Sequence, residues 1–270
     1  MRFQIDGRTV HAATGAVAID RDGAADLPLV LLVHGAGMDR TVWSQQTRWL
    51  AHHDARAVAV DLPGHGGSDG PALGSIADLA DWIAAVADEL GGPAHLIGHS
   101  MGAFIALEAA ARHADSVASV VLMGLGAAMP VHPDLQAAAD ADDPLAADLM
   151  AGWMHGPDQK FGFNPTPGMS MMGTSRAVIE TSPDGVLSLD LALCAAYDGA
   201  GDAANALVCP ATLVLGRLDR MTPRRAAQPL VDVLEHATVV ELATSGHAPM
   251  MEEPDAVRSA LAGHLARTLS

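Results

Sequence analysis

Ala94, His95, Leu96, Ile97, Gly98, His99, Ser100, Met101, Gly102, Ala103, Phe104: an apolar strand runs without a linker into a helical pattern that continues to Arg112. A junction this sharp drives its central residue into positive φ, and a side chain two positions before or after would collide with the turn, hence Gly98 and Gly102. The turn lifts Ser100 above the carboxyl edge of a sheet. It also leaves the Met101 amide at a helix start, where it can donate to a developing anion. In a chain with 27 glycines the pentapeptide alone says little. The strand before it and the helix after it carry the reading.

Working outward, Leu29 to Val33 is a continuous apolar run that stops at His34 and Gly35, as in a strand buried on both faces. Similar runs occur at Ala57 to Val60, His95 to Ile97, Val117 to Met123, Thr212 to Leu215 and Thr238 to Leu242. Helical patterns separate them at Val42 to Ala51, Ser75 to Leu90, Gly102 to His113, Pro223 to Leu234 and Pro254 to Leu269. Arg2 to Ile5, the turn pair Asp6 and Gly7, and Thr9 onward read as a hairpin. The predicted class is α/β, a mostly parallel eight-stranded sheet with helices on both faces.

The alternation fails between about Ala127 and Val208, a stretch rich in proline and methionine and too long for an ordinary loop. Leu145 to Met154 and Gly185 to Tyr197 have helical spacing. The segment reads as a helical cap inserted after the sixth strand, dividing the chain into core (1–126), cap (127–208) and core (209–270). Its methionines, among them Met129, Met150, Met154, Met169, Met171 and Met172, either pack the cap onto the body or line an adaptable apolar pocket. Phe161, Phe163, Met250 and Met251 leave the same two alternatives open.

The chain has 270 residues, with 32 acidic against 15 basic side chains and a formal charge of −17, which repels nucleic acid and anionic membranes. No apolar run reaches the roughly 20 residues of a membrane span, and the first thirty residues lack a signal-peptide pattern, so the expected location is the cytoplasm. Cys194 and Cys209 have no metal-type or CxxC spacing and read as incidental thiols. There is no dinucleotide fingerprint and no metal-ligand cluster, so neither a cofactor nor a metal is expected, and nothing fixes the oligomeric state.

A serine hydroxyl is a poor nucleophile until a base takes its proton, and that base needs a carboxylate to hold its tautomer. Asp219 follows the strand Thr212 to Leu215 and Gly216, and His247 follows the strand Thr238 to Leu242, so both stand at the same sheet edge as Ser100. His34, Gly35, Ala36 and Gly37 end the central strand there as well. The amide of Ala36 is the second candidate oxyanion donor beside that of Met101, and His34 reads as a turn residue rather than a base. Thr222 and Pro223 could instead cap the next helix unaided.

This set, with the run Asp61, Leu62, Pro63, Gly64, His65, Gly66, Gly67, Ser68, resembles the α/β-hydrolase superfamily in its esterase-like branch with a cap. The resemblance implies Ser100 as nucleophile, His247 as base, Asp219 as acid and the Ala36 and Met101 amides as oxyanion hole. In such proteins the Asp61 to Ser68 loop is usually structural. Branches with an aspartate nucleophile and a proline after the oxyanion turn are disfavoured by Ser100 and Gly37, and carbon–carbon bond hydrolases by Ala248 where they carry tryptophan. The reaction implied is hydrolysis of a small or medium, mostly apolar ester, thioester or lactone. The alternatives are non-ester chemistry on the same triad, or a ligand receptor without turnover.

Overall fold

In a computed structural model, which describes residues 1–160, 168 and 170–269, eight strands form one sheet in the order β1-β2-β4-β3-β5-β6-β7-β8. The strands are β1 (Arg2–Ile5), β2 (Arg8–Ala13), β3 (Leu29–Val33), β4 (Arg56–Val60), β5 (Ala94–His99), β6 (Val117–Met123), β7 (Ala211–Gly216) and β8 (Thr238–Leu242). β1 and β2 form the expected hairpin, and Asp6 and Gly7 hold φ of 49° and 76° in its turn. β2 joins β4 antiparallel, and every later pairing is parallel.

Five consecutive aliphatic residues make β3 a strand with no polar face, and it sits between β4 and β5 with every side chain at 1% exposure or less. Such a strand requires cover on both sides. Helices α1 (Ser44–Ala51) and α12 (Pro254–Thr268) supply one layer, and α2 (Ile76–Glu89) and α3 (Met101–Arg112) the other. The interior is mostly aliphatic and alanine, and Trp43 and Phe104 are its largest fully buried side chains.

Between β6 and β7 the chain forms α4 (Pro133–Asp140), α5 (Leu145–Met154), α6 (Pro157–Lys160), α7 (Met171–Glu180), α8 (Val186–Ala196) and α9 (Ala200–Ala206). The spacing finds α5 and α8 but not α4, α7 or α9. Two of them begin on side-chain caps that a periodicity search does not weigh: His132 accepts from the Asp134 amide at α4, and Ser170 from the Gly173 amide at α7. α5 packs on α4 and α7, and α4 on α8, whereas α9 packs on α3 and on α10 (Arg224–Val233). Phe161, Phe163 and Met169 lie outside the described residues. A four-residue helix α11 (Pro249–Glu252) follows β8.

Because Leu31 is fully buried in the central strand, Leu31→Ala is expected to cost about 2–5 kcal/mol. Denaturant unfolding against the native chain checks it.

Candidate active site

Ser100 lies where β5 passes into α3 and adopts φ 54°, ψ −119°, a strained conformation for a residue with a side chain. A Cβ on Gly98 would lie 2.1 Å from the Gly102 carbonyl oxygen, and one on Gly102 would lie 2.3 Å from that of Val33. Neither glycine can be replaced while the turn keeps its shape. The Ser100 amide donates to the Met123 carbonyl (2.9 Å), tying the turn to β6, and the hydroxyl has no hydrogen-bond partner among the described residues. It opens onto a cavity of about 720 Å³ that His247 and Ala36 also line.

Asp219 and His247 meet at the ends of β7 and β8. The His247 Nδ1–H donates to Asp219 Oδ2 at 2.8 Å, and both residues are buried. The same oxygen accepts the Thr222 hydroxyl (2.7 Å), while Oδ1 accepts the amides of Met221 (2.8 Å) and Thr222 (2.9 Å). Burial works to raise the Asp219 pKa, yet attraction to His247 and these hydrogen bonds outweigh it and bring the value down to about 2. Asp219 is therefore an anion with every lone pair engaged. Thr222 caps nothing: it serves Asp219, and α10 starts without a side-chain cap.

Ala36 and Met101 donate their amides to no acceptor among the described residues, leaving two free N–H groups beside Ser100. Gly35 lets the two segments approach, since a Cβ there would lie 3.2 Å from that of Ser100. Gly37 has a different reason. Its φ is +62°, and a Cβ would lie 2.7 Å from Leu187 Cδ1 on α8. His34 is not a base: its Nε2 accepts the Leu62 amide (3.1 Å), Nδ1–H donates to the Gly35 carbonyl (2.9 Å), and burial, helped by the His65 charge, lowers its pKa to about 4. Asp61 accepts the Arg40 and Gly67 amides and pairs with the Arg40 guanidinium, a loop-holding role.

The rest of the cavity is lined by Met129, Leu135, Met150, Trp153 and Leu191, so two of the methionines named from the sequence face it. Met154 and Met250 are core residues with no exposure. Cys194 lines the cavity as well, and burial raises the pKa of its thiol. Among the described residues no group of three or more His, Cys, Asp or Glu side chains could hold a metal ion, and no helix is long and apolar enough to cross a membrane.

Residues 30–260 match the model of the alpha/beta hydrolase family. The chain belongs to that family. Two relatives, both named pimeloyl-[acyl-carrier protein] methyl ester esterase, are similar over most of their length. That of Chromobacterium violaceum is 33% identical over 88% of this chain and 94% of its own. That of Aromatoleum aromaticum is 30% identical over 84% and 94%. The enol-lactonase of Burkholderia xenovorans LB400 superposes with a TM-score of 0.86 at 23% identity, covering 98% of this chain and 100% of its own, a likeness of fold.

Three buried residues of this hydrolase that the spacing does not single out hold the site in place. The His99 ring lies tilted against that of His247, with centroids 4.9 Å apart, and its Nε2–H donates to the His247 carbonyl at 2.8 Å. Burial, reinforced by His247, pushes its pKa down to about 3, so it stays neutral. Glu252 accepts the amides of Gly246 (2.9 Å), Ala248 (3.1 Å) and Gly156 (2.8 Å), clamping the loop of His247 to the end of α5. The His247 amide in turn donates to the Met154 carbonyl at 2.6 Å.

Asp190 reaches down from α8, and its Oδ2 accepts both the Gly37 amide and His65 Nε2–H, each at 2.8 Å. His65 Nδ1 faces the Pro63 carbonyl at 3.1 Å, so both ring nitrogens meet acceptors and only the imidazolium satisfies them. Burial opposes that charge, but the hydrogen bond and attraction to Asp190 raise the His65 pKa above its ordinary value. A helix of the insertion thereby sets the loop that carries the Ala36 amide. The sequence contains the signal only as a lone acid in an apolar helix.

A histidine whose folded pKa exceeds its unfolded value of about 6.5 contributes stability that is complete below that value and fades as pH rises through the folded one. Asp190→Asn removes that contribution. The gap in melting temperature between native chain and variant is expected to narrow from pH 6 to pH 9, and kcat to fall about 10- to 100-fold as the loop shifts. Calorimetry across the pH series checks the first and ester turnover the second.

Proposed function

We propose that this hydrolase cleaves a small or medium, mostly apolar carboxylic ester through an acyl-enzyme on Ser100. The observation that carries the reading is a strained serine opening onto one cavity with a histidine whose far nitrogen is already held by an ionised carboxylate. With Nδ1–H engaged by Asp219, the neutral imidazole keeps its lone pair on Nε2, the nitrogen left for the serine proton. The short contact between Ser100 Oγ and Nε2 forms as substrate enters, since such contacts tighten in the Michaelis complex.

Ser100 Oγ attacks the ester carbonyl while its proton passes to Nε2. The negative charge that develops on the carbonyl oxygen is received by the free N–H groups of Ala36 and Met101. Collapse breaks the ester C–O bond, and Nε2 returns its proton to the departing alcohol. Water repeats the sequence on the acyl-serine and releases the acid. Helices α4 to α8 serve as a cap over the apolar part of the cavity, whose 720 Å³ accommodates a medium acyl chain.

The relatives are named for a methyl ester carried on acyl-carrier protein. A methyl ester suits the cavity and mechanism above. The carrier is less suited, because between Ala127 and Val208 the only cationic residues are Lys160 and Arg176 among many aspartates, a surface that does not attract an acidic protein.

Ser100→Ala is expected to lower turnover of p-nitrophenyl acetate and butyrate by about 10⁶-fold. A fluorophosphonate probe should label the native chain at Ser100 alone, mapped by peptide mass. Equal turnover by variant and native chain, or labelling at another residue, overturns the reading.

A further inference from the structure

We infer that the substrate carries an anionic group, a carboxylate or a phosphate, at the end away from the scissile ester, and that Arg220 and Arg225 bind it. The inference rests on the esterase reading and narrows its substrate class.

The cavity inverts the charge of the molecule around it. The chain is −17 overall, with 32 acidic side chains, yet among the described residues no Asp or Glu lines the Ser100 cavity, whereas Arg220 and Arg225 both line it. A cleft lined by one sign of charge focuses the field and raises the local concentration of the opposite ion. An anionic ester would be repelled by most of this surface and drawn to the cavity that Ser100 and His247 line.

Neither arginine is committed to the fold. Arg220 and Arg225 are exposed, and among the described residues neither has an ion pair or a side-chain hydrogen bond. Their neighbour Arg224 shows the alternative: its Nε donates to Glu241 at 2.7 Å and its Nη1 to Gln228 at 2.7 Å. Arg40, Arg112, Arg176 and Arg258 likewise pair with carboxylates. In a chain with such an excess of acid, two unpaired guanidiniums on the wall of the reaction cavity are available to a ligand.

The start of α10 adds to the same field. Pro223, Arg225 and Ala226 line the cavity, and the helix has no side-chain cap, so its positive end faces the same space. Two lining histidines stand near carboxylates: His247, held by Asp219, and His132, whose Nδ1 lies 3.8 Å from Asp134 and accepts the Asp134 amide. The same cavity that Ser100 and the arginines line is also walled by the apolar Met129, Leu135, Met150 and Leu191. The matching molecule is an aliphatic chain with an ester at one end and an anion at the other.

The test compares monomethyl adipate and methyl 6-(phosphonooxy)hexanoate with neutral methyl hexanoate. Binding to Ser100→Ala is measured by calorimetry, and kcat/KM is measured on the native chain. For exposed guanidinium pairs the anionic esters should be favoured roughly fivefold at low salt, with the advantage lost at high ionic strength. Arg220→Gln with Arg225→Gln should abolish the preference, Lys at both positions should retain most of it, and Arg48→Gln, outside the cavity, should leave it intact. Which anion binds more tightly identifies the headgroup.

Equal binding of neutral and anionic esters, or a preference that survives the double Gln variant, overturns the inference. Binding preference without hydrolysis of any ester overturns the esterase reading instead and leaves anion recognition standing.

Discussion

A single backbone conformation, the positive φ of Ser100, organises the rest of the site. The strain is held in place from both sides by packing that admits no Cβ, because one on Gly98 or Gly102 would lie 2.1 or 2.3 Å from a neighbouring carbonyl oxygen. Strain of this kind costs on the order of 1–3 kcal/mol and persists only where surrounding structure over-determines it. Here the over-determination comes from β3 and β6. Gly102 presses on the carbonyls of Val33 and His34, and the Ser100 amide is tied to Met123. The apolar strands that make the sheet also aim the hydroxyl.

The same rim is held from above by two buried carboxylates. Glu252 binds three amides around His247 and the end of α5, and Asp190 binds one amide beside Ala36 together with charged His65. One fixes the loop of His247 and the other the loop of Ala36. Each bridges the sheet edge and the helical insertion. Lifting the insertion off the body would break the hydrogen bonds of Gly156 to Glu252, Gly37 to Asp190, His65 to Asp190 and His247 to the Met154 carbonyl, so it is tied to the sheet edge at both places.

Much of this was legible in the sequence. Leu29 to Val33, Val117 to Met123 and Thr238 to Leu242 are strands with the bounds their apolar runs suggest. β3 follows its pattern most closely, because an unbroken aliphatic run has no polar face to expose. The order of Ser100, Asp219 and His247 was legible for the same reason, since each directly follows such a run. Helices α4 and α7 were not, as they depend on caps and on packing against neighbours that lie far away in sequence. Asp190 showed only as a lone acid in an apolar helix, and the amides that it and Glu252 bind were not legible at all. A backbone amide leaves no mark in a sequence.

That last point bears on how the insertion relates to the chemistry. A buried ion pair seldom adds net stability over a well-packed apolar pair, and breaking one side of it is costly because the other charge is left alone. Asp190 and His65 therefore make poor sense as a stabilising device alone, at a place where α8 could have met the body through Leu187 and Gly37. They make better sense as a register device. Leucine against glycine tolerates sliding, whereas one carboxylate oxygen at 2.8 Å from both an amide and an imidazole does not. For the proposed reaction, in which the Ala36 amide must be placed to within a fraction of an ångström, the charge belongs where the insertion meets the loop of Gly37.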